Sequence, residues 1–366
     1  MADSSIWDQE IAVPASVITF VDDHVLKQLP EGSTVVSISS CGLSYWTRTA
    51  EIKTTTSTGD AVSFFLKVAQ GDVGKGMLYG EFHSMTAIHN AMPDIAPQPI
   101  GHGTYANDCD THFFLCRFHA MMNRLPDAQD FPAVLAQLHK SGISPNGKFG
   151  FPVTTYQGRL PQDNTECDTW EECFSNGIEQ FFRAEEEAQG FDEEMAVLRE
   201  GIMEKVIPRL LRPLETDGNQ IQPCLVHGDL WDGNTSVDGA TGKPLIFDAC
   251  SSYAHHEYEL APWRPVRHRI GKPYIQQYAR HFIPSEPRTD FDDRNALYCV
   301  RFNLCSSALY PGNLIFRDIV KQEMHDLVEK FPLGYEGYSK TGLEVDSHKI
   351  YGNGQIINPI PISSVY

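Results

Sequence analysis

The segment from Cys224 to Asn234 reads CLVHGDLWDGN, in which a short apolar run is followed by a dense group of polar residues. This order indicates a buried strand that ends in a loop, where several polar side chains point into one small volume. Asp229 and Asn234 lie in this loop, and Asp248 ends the next apolar run, PLIF. Phosphoryl transfer needs one carboxylate to orient and deprotonate a hydroxyl, and oxygen ligands for magnesium. The pattern predicts that these three residues supply those roles.

A second motif lies upstream. Lys67 stands in the predicted strand AVSFFLKVA, and Glu81 follows in a segment with helical spacing. A lysine that reaches nucleotide phosphates and pairs with a helix carboxylate is the other half of kinase chemistry. Such a lysine alone is more often an edge-strand residue, and Glu51 and Asp60 are other candidate acids. The two motifs in the right order indicate a kinase more strongly than either does alone.

Two glycine-containing stretches could approach phosphates. Gly71 to Gly76 reads GDVGKG, but Lys75 is followed by glycine and not by the Ser or Thr of a Walker loop, so a flexible strand-to-helix connection is expected. We expect the turn Ser39 to Tyr45, SSCGLSY, to cover the phosphates. Gly42 allows close backbone approach there, with Ser44 beside it.

A further cluster follows Asp248 along the chain and consists of His255, His256, Glu257 and Glu259. Without a further spaced His or Cys, a zinc site is the weaker interpretation. The cluster is instead predicted to face the substrate, with Glu257 and Glu259 able to hold an amine. Trp231 is equally consistent with core packing and with a wall of the acceptor pocket.

The chain has 366 residues and a net charge of −19, which opposes binding to nucleic acid or to anionic membrane. A cationic substrate is compatible with this charge. The acidic N-terminus does not resemble a secretory signal, and no apolar run is long enough to span a bilayer. Nine scattered cysteines without a CxxC pair indicate reduced thiols and a cytoplasmic protein.

The elements that must position these residues change character along the chain. Strand patterns and one helix, Leu78 to Ala91, dominate the first third, and helical periodicity dominates from about Asp127. The prediction is an α+β, bilobal chain with a ligand cleft between its lobes. The predicted strands are Thr34–Ser39, Thr47–Thr54, Ala61–Ala69, Gln98–Tyr105, Thr111–Phe118, Thr235–Val237 and Pro244–Phe247, and the predicted later helices are Phe131–Lys140, Trp170–Glu187, Glu193–Leu211, Lys272–His281, Asp293–Ala308 and Phe316–Lys330.

With these residues identified, the chain resembles the fructosamine kinase family, the ketosamine 3-kinases, within the aminoglycoside phosphotransferase-like branch of the protein-kinase-like fold. The HGDLWxGN signature is present, with Asp232 at its variable position, and PLIFDA and HEYELA follow it. Further likenesses are the segment Asn146–Asn164 and GEFHSMTAI around Glu81. Together they extend over most of residues 35 to 262.

The resemblance implies transfer of the ATP γ-phosphoryl group to a sugar hydroxyl of a ketosamine, free or protein-bound. It implies that Asp229 is the catalytic base and that Asn234 and Asp248 hold Mg²⁺. Lys67 and Glu81 would then form the phosphate-positioning pair. It also implies a small nucleotide-binding lobe, residues 1–118, and a larger mainly helical lobe for catalysis and acceptor binding, residues 119–366.

Two finer expectations also come from the resemblance. The strand that ends near Arg117 to His119 would be the adenine-binding hinge. Cys41 would occupy the place of a redox cysteine that some relatives carry in the phosphate-covering loop.

The segment APWRPVRHRIGKPY, which follows HEYELA, departs from the family pattern, so substrate identity stays open. The alternatives are a kinase for another hydroxyl acceptor, such as an aminoglycoside or a choline-like alcohol, and a nucleotide-binding pseudokinase scaffold. The four intact residues Lys67, Asp229, Asn234 and Asp248 argue against the pseudokinase.

Overall fold

The computed structural model describes residues 13–42 and 44–338. Its first part is built on a five-stranded antiparallel sheet with the order β1-β2-β3-β5-β4. A short helix, α1, precedes the sheet, and one long helix, α2, separates β3 from β4. The elements are α1 (Asp23–Leu26), β1 (Thr34–Ser40), β2 (Arg48–Thr55), β3 (Ala61–Gln70), α2 (Gly71–Ala91), β4 (Pro99–Thr104) and β5 (Thr111–Arg117).

Alternation along β3 decides which way the functional lysine faces. Phe64, Leu66 and Val68 are fully buried in the core on one side of the sheet. Lys67 and Ala69 therefore lie on the opposite side, because successive strand residues point to opposite faces. Ala69 joins the core that α2 contributes to, so Lys67 lies on the face that carries α2.

Helix α2 begins earlier than the sequence pattern predicts. The stretch GDVGKG forms its first turns, directly after β3, so the expected flexible connection there is wrong. The glycines have a packing role instead. A Cβ at Gly76 would overlap the ring of Tyr156, and one at Gly80 would lie 2.8 Å from the carbonyl oxygen of Thr154. Small residues on this face let the helix approach the following part of the chain closely.

The second part is mainly helical, with small strands around residues 227–229, the HGD loop. Its main core packs α4, α5, α6, α8 and α9 together. The elements are β6 (Met121–Met122), α3 (Phe131–Ser141), β7 (Tyr156–Gln157), β8 (Leu160–Pro161), α4 (Trp170–Gln189), α5 (Glu193–Gly201), a π-helical segment (Ile202–Val206), α6 (Ile207–Leu211), β9 (Cys224–Val226), β10 (Thr235–Asp238), β11 (Pro244–Ile246), β12 (Ser252–Ala254), a 3-10 segment (His256–Trp263), α7 (Lys272–His281), α8 (Phe291–Leu309) and α9 (Leu314–Lys330).

Two small sheets hold the loops that carry Asp229 and Asp248. Strand β9 pairs with β12, and β10 pairs with both β11 and β6. Because β6 follows β5 closely, the chain that leaves the five-stranded sheet joins the β10–β11 hairpin at once.

The predicted strands are confirmed, with ends within two residues of the observed ones, and so are most helices. The helix predicted over Glu193–Leu211 is interrupted by the π-helical segment. Among the residues that the structure describes, no helix combines the length and apolar character that a membrane crossing requires.

Candidate active site

Lys67 joins the first part of the chain to the second. Its Nζ lies 2.8 Å from Glu81 Oε2 on α2 and 3.0 Å from Asp248 Oδ1 after β11. Lys67 and Glu81 are buried, and the side chain of Asp248 is 44% exposed. Burial alone would lower the pKa of Lys67, but the Asp248 and Glu81 carboxylates hold it above the usual range, so the ammonium stays charged.

Asp248 has an unusual backbone conformation. Its φ of 60° lies in the left-handed region, which non-glycine residues seldom adopt and which Asp tolerates better than most. Burial would raise the pKa of this carboxyl, but Lys67 lowers it below the ordinary value. Asp248 is therefore an ionised carboxylate, held at a sharp bend at the end of a buried strand.

The HGD loop owes its shape to one glycine and one buried acid. Gly228 has a φ of 86°, and a Cβ there would overlap the carbonyl oxygen of Cys250. The main-chain N–H groups of His227 and Gly228 both donate to the carboxylate of Glu259, the second at 3.1 Å. A charged acceptor thus satisfies the main-chain N–H groups of the turn that presents Asp229.

His227 is a structural part of this loop. Its Nδ1 accepts from the N–H of Asp229 at 3.2 Å, so the proton lies on Nε2, which donates to the carbonyl oxygen of Phe247 at 2.8 Å. Burial lowers the pKa of His227, in agreement with a neutral ring. The histidine therefore ties the turn before Asp229 to the residue before Asp248.

Both oxygens of the Asp229 carboxylate have partners. Gln157 Nε2 donates to Oδ1 at 2.9 Å, and Asn234 Nδ2 donates to Oδ2 at 3.1 Å and to the carbonyl oxygen of Asp229 at 2.8 Å. Burial raises the pKa of Asp229 to about 7, and the hydrogen bond from Gln157 and the charge of Arg301 oppose that rise. A carboxylate held in this way can accept a proton near neutral pH.

The donor set fits a magnesium ion. Asn234 directs its amide nitrogen at Asp229, which leaves the amide oxygen as its ligand atom, and the carboxylate of Asp248 is partly open. Mg²⁺ prefers oxygen ligands of these two kinds. Lys67 is shared by two carboxylates, Glu81 and Asp248, so further positive charge is favourable here.

Comparison with known proteins supplies the family. The fructosamine kinase family model matches residues 46–330 of the chain. The chain belongs to the fructosamine kinase family. It is 32% identical over 245 residues to the chloroplastic protein-ribulosamine 3-kinase of Oryza sativa subsp. japonica, covering 65% of each chain. It is 31% identical over 217 residues to the ketosamine-3-kinase of Mus musculus, covering 54% of this chain and 68% of the mouse protein. The chain thus spans about two thirds of the length of these relatives.

Solved structures show the fold of this family member. A Thermobifida fusca protein, described provisionally as a fructosamine-3-kinase, aligns with a TM-score of 0.62 at 19% identity, covering 81% of this chain and 95% of that one. The aminoglycoside phosphotransferase APH(4)-Ia aligns with a TM-score of 0.51 at 16% identity, covering 81% and 94%. The predicted α+β, bilobal protein-kinase-like fold is confirmed.

In this member of the fructosamine kinase family, the loop after β1 contains the residues predicted to cover phosphates. Gly42 has a φ of 72°, and Ser44 Oγ accepts from Thr47 Oγ1 at 2.7 Å. Cys41, next to Gly42, is half-buried, and burial and Glu51 raise the pKa of its thiol to about 11. That shift is the opposite of what a reactive thiolate needs, and the redox role of Cys41 stays a prediction.

The predicted hinge lies at the end of β5. The guanidinium of Arg117 lies 5.6 Å from the ring centroid of Phe64. The main-chain N–H of Arg117 donates to the carbonyl oxygen of Gln98 at 2.8 Å. His119 Nδ1 lies 2.6 Å from Asp238 Oδ2 on β10. The side chains of Arg117 and His119 thus fasten the connection to both sheets, and their role toward adenine stays a prediction.

The substrate-facing prediction for Glu257 and Glu259 is wrong. Both are at most 1% exposed, and their oxygens are bonded inside the protein. Glu257 pairs with the guanidinium of Arg294, at 2.7 Å and 2.9 Å, and Glu259 holds the HGD loop. An acid this deep needs an internal partner, and each has one.

The neighbouring histidines give only weak support for a metal site. His255, His256 and Glu257 lie close enough together to suggest one, but each is buried and already bonded. His255 contacts Tyr298 Oη and Ser285 Oγ, both at 2.9 Å, and His256 contacts Tyr278 Oη at 3.1 Å. The zinc interpretation therefore stays the weaker one.

Trp231 is half-buried, with its ring folded over Gly233 and 5.5 Å from the ring of His268. It belongs to none of the buried cores among the described residues, and its role as a wall of the acceptor pocket stays a prediction. Two residues that sequence reasoning missed are Gln157 and Arg301. Gln157 lies inside the family-like segment Asn146–Asn164, but nothing in the sequence shows where its amide points.

Proposed function

We propose that this chain is an ATP-dependent kinase that phosphorylates a sugar hydroxyl of a ketosamine, such as a ribulosamine or fructosamine, free or protein-bound. The observation that carries the proposal is the junction at Lys67. Its ammonium contacts both the α2 acid and the Asp248 carboxylate, next to the loop that presents Asp229. The names of the rice and mouse relatives support a ketosamine as the acceptor class.

Each residue of the site then has a defined role. Asp229 accepts the proton of the attacking hydroxyl, and Asn234 holds the carboxylate in place through Oδ2. Lys67 contacts the nucleotide phosphates, and Glu81 orients Lys67. Asn234 and Asp248 are the residues that would bind Mg²⁺. When bound, that ion supplies the positive charge that the phosphate oxygens require.

The nucleotide-binding lobe in this proposal is residues 1–118, with Gly42 and Ser44 over the phosphates and the connection around Arg117 and His119 beside the base. Residues 119–366 form the catalytic and acceptor-binding lobe. All nine cysteines are free thiols, which supports a reducing compartment such as the cytoplasm.

An acceptor screen tests the reaction. The chain is incubated with ATP and magnesium and, in separate reactions, with a fructosamine, a ribulosamine, a glycated peptide, an aminoglycoside and choline. Phosphate transfer to the ketosamines is expected, with the modified oxygen mapped by mass spectrometry and NMR. Transfer only to an aminoglycoside or to choline would replace the ketosamine assignment, and no transfer to any acceptor despite ATP binding would indicate a pseudokinase.

A matched pair of variants tests the base. Asp229→Asn should abolish turnover and keep ATP affinity largely unchanged, because the side chain keeps its size and loses its proton-accepting charge. Asp318→Asn makes the same chemical change at an exposed position on α9 and serves as the control. Turnover that survives in Asp229→Asn would remove Asp229 from this role.

A further inference from the structure

Arg301 on α8 is a buried cation without a carboxylate partner. It is 4% exposed, and none of the ion pairs within residues 13–42 and 44–338 includes it. Its guanidinium lies 4.2 Å from the ring centroid of Phe181 and 5.5 Å from that of Tyr258. Burying an unpaired charge is costly, so a cation in such a place points to a role other than stability.

The guanidinium binds two neutral side chains. Its Nη1 donates to Gln157 Oε1 at 2.5 Å, and its Nη2 donates to Gln162 Oε1. An amide can present either its oxygen or its nitrogen, but arginine has donors only. Arg301 therefore selects the orientation of both glutamines and turns their nitrogens away from itself.

The two freed amide nitrogens have different targets. Gln162 Nε2 donates to the carbonyl oxygen of Cys250 and to Thr155 Oγ1, both at 2.9 Å, which are structural contacts. Gln157 Nε2 donates to Asp229 Oδ1 at 2.9 Å. With the amide reversed, the oxygen of Gln157 would face the carboxylate and repel it.

We propose that Gln157 and Arg301 are positioning residues for the reaction: Arg301 orients the Gln157 amide, and that amide fixes the Asp229 carboxylate from the side opposite Asn234. The counter-charge for the buried guanidinium is then Asp229, one amide away. Held at both oxygens, the carboxylate has one orientation in which to meet the acceptor hydroxyl. The inference deepens the proposed function and rests on it for the identity of the reaction.

The decisive variant is Gln157→Glu. The introduced carboxylate can still accept from Arg301, which favours retention of the fold, but it has no N–H for Asp229 and repels it. We expect kcat for the ketosamine to fall about 100-fold while KM for ATP stays within about threefold, because a misplaced reacting group costs rate more than binding. The unfolding midpoint in urea should stay close to that of the wild type.

Gln162→Glu is the matched control. It introduces the same charge against the same arginine, but Gln162 has no contact with Asp229. Its kcat should stay within about threefold of the wild type, whatever it loses in stability. Equal losses of kcat in the two variants, or a wild-type kcat in Gln157→Glu, would overturn the proposal.

Arg301 is tested through its coupling to Gln157. Arg301→Met should lower kcat, and Arg301→Lys should restore part of it, because lysine is also a donor-only cation. If both residues act on Asp229 through one contact, Gln157→Met combined with Arg301→Met should reduce kcat no further than about threefold below the slower single variant. If the two losses of kcat multiply in the double variant, the residues act independently, which would contradict the proposal that Arg301 acts through Gln157.

Crystal structures of Gln157→Glu and Gln162→Glu separate this inference from the proposed function. A rotated Asp229 carboxylate in the first variant and an unchanged one in the second support positioning, and an unchanged carboxylate in both refutes it. This comparison decides the matter even if the wild type phosphorylates no ketosamine, a result that would remove the proposed function alone.

Discussion

Ser251, just after Asp248, donates its N–H to Ser84 Oγ on α2 at 2.9 Å. The same hydroxyl donates to the carbonyl oxygen of Gly80 at 2.8 Å, so its donor and an acceptor site are both used. Ser84 is fully buried. Together with the contacts of Lys67 to Glu81 and Asp248, this hydrogen bond fastens α2 to the segment that carries Asp248. It thereby fixes the position of Glu81 relative to the HGD loop.

Removing this hydroxyl should weaken the attachment. Ser84→Ala leaves the Ser251 N–H buried without a partner, so we expect a loss of about 1–3 kcal/mol in the free energy of unfolding, measured with urea. Thr86→Ala is the control on the same helix, because Thr86 Oγ1 bonds only the carbonyl oxygen of Phe82 one turn earlier. Similar losses in the two variants would contradict a special role for the Ser84 contact.

The close approach of α2 to the Thr154–Gln157 segment predicts a glycine effect. Gly80→Ala would place a Cβ 2.8 Å from the Thr154 carbonyl oxygen and 3.0 Å from Thr155 Cα, both backbone atoms. We expect a loss of about 1–3 kcal/mol in stability, and a lower kcat because Gln157 moves with the segment. Gly177→Ala, in the open on α4, should instead stabilise the protein by up to about 1 kcal/mol. If the Gly80→Ala protein is as stable as the wild type, residues 154–157 move aside without a cost in stability, which would contradict this prediction.

Replacing the junction lysine should affect nucleotide chemistry first. Lys67→Met removes the cation that two carboxylates share, so we expect weaker ATP binding and a fall in kcat of about 100-fold or more. Lys53→Met, on β2 and 55% exposed, is the control for loss of a lysine from the same sheet. Calorimetric ATP titration and turnover are the measurements. Unchanged values for Lys67→Met would exclude Lys67 from the phosphate site.

The β10–β11 hairpin should lose stability in acid. Burial alone would raise the pKa of Asp238, but hydrogen bonds from His119 and Thr241 lower it to about 2. A carboxyl with a depressed folded-state pKa contributes stability above its unfolded value of about 4, and the contribution disappears as the pH falls toward 2. The full loss, reached toward pH 2, should be about 2 kcal/mol, and urea unfolding at pH 6, 4 and 3 should show about half of it by pH 3. In Asp238→Asn this pH-dependent part should be absent, and an unchanged acid dependence in that variant would reject the assignment.

The buried acid Glu257 should affect folding and leave acceptor binding unaffected. Glu257→Gln removes the charge partner of Arg294 at a fully buried site, so we expect a loss of about 3–5 kcal/mol in stability. KM for the acceptor, measured on the folded fraction, should stay unchanged. A stable variant with a raised acceptor KM would reverse the conclusion and return Glu257 to the substrate site.

The local patterns of the sequence were sufficient for much of the site. The alternation of β3 already places Lys67 opposite the buried Phe64, Leu66 and Val68. The HGD loop and the hairpin after it are consecutive in the chain, so Asp229, Asn234 and Asp248 are close through short connections. Periodicity and turn residues act over a few positions, which is why they predict such features.

Contacts between distant segments were decided by the tertiary structure alone. Gln157 and Arg301 meet at Asp229 across 144 residues of sequence separation, and no local pattern encodes that meeting. Glu257 and Glu259 look like exposed acids in the sequence, but packing places them in the core beside Arg294 and the HGD loop. Whether a polar side chain faces a ligand or an internal partner depends on which segments the fold brings against it, because burial and pairing are properties of the packed chain.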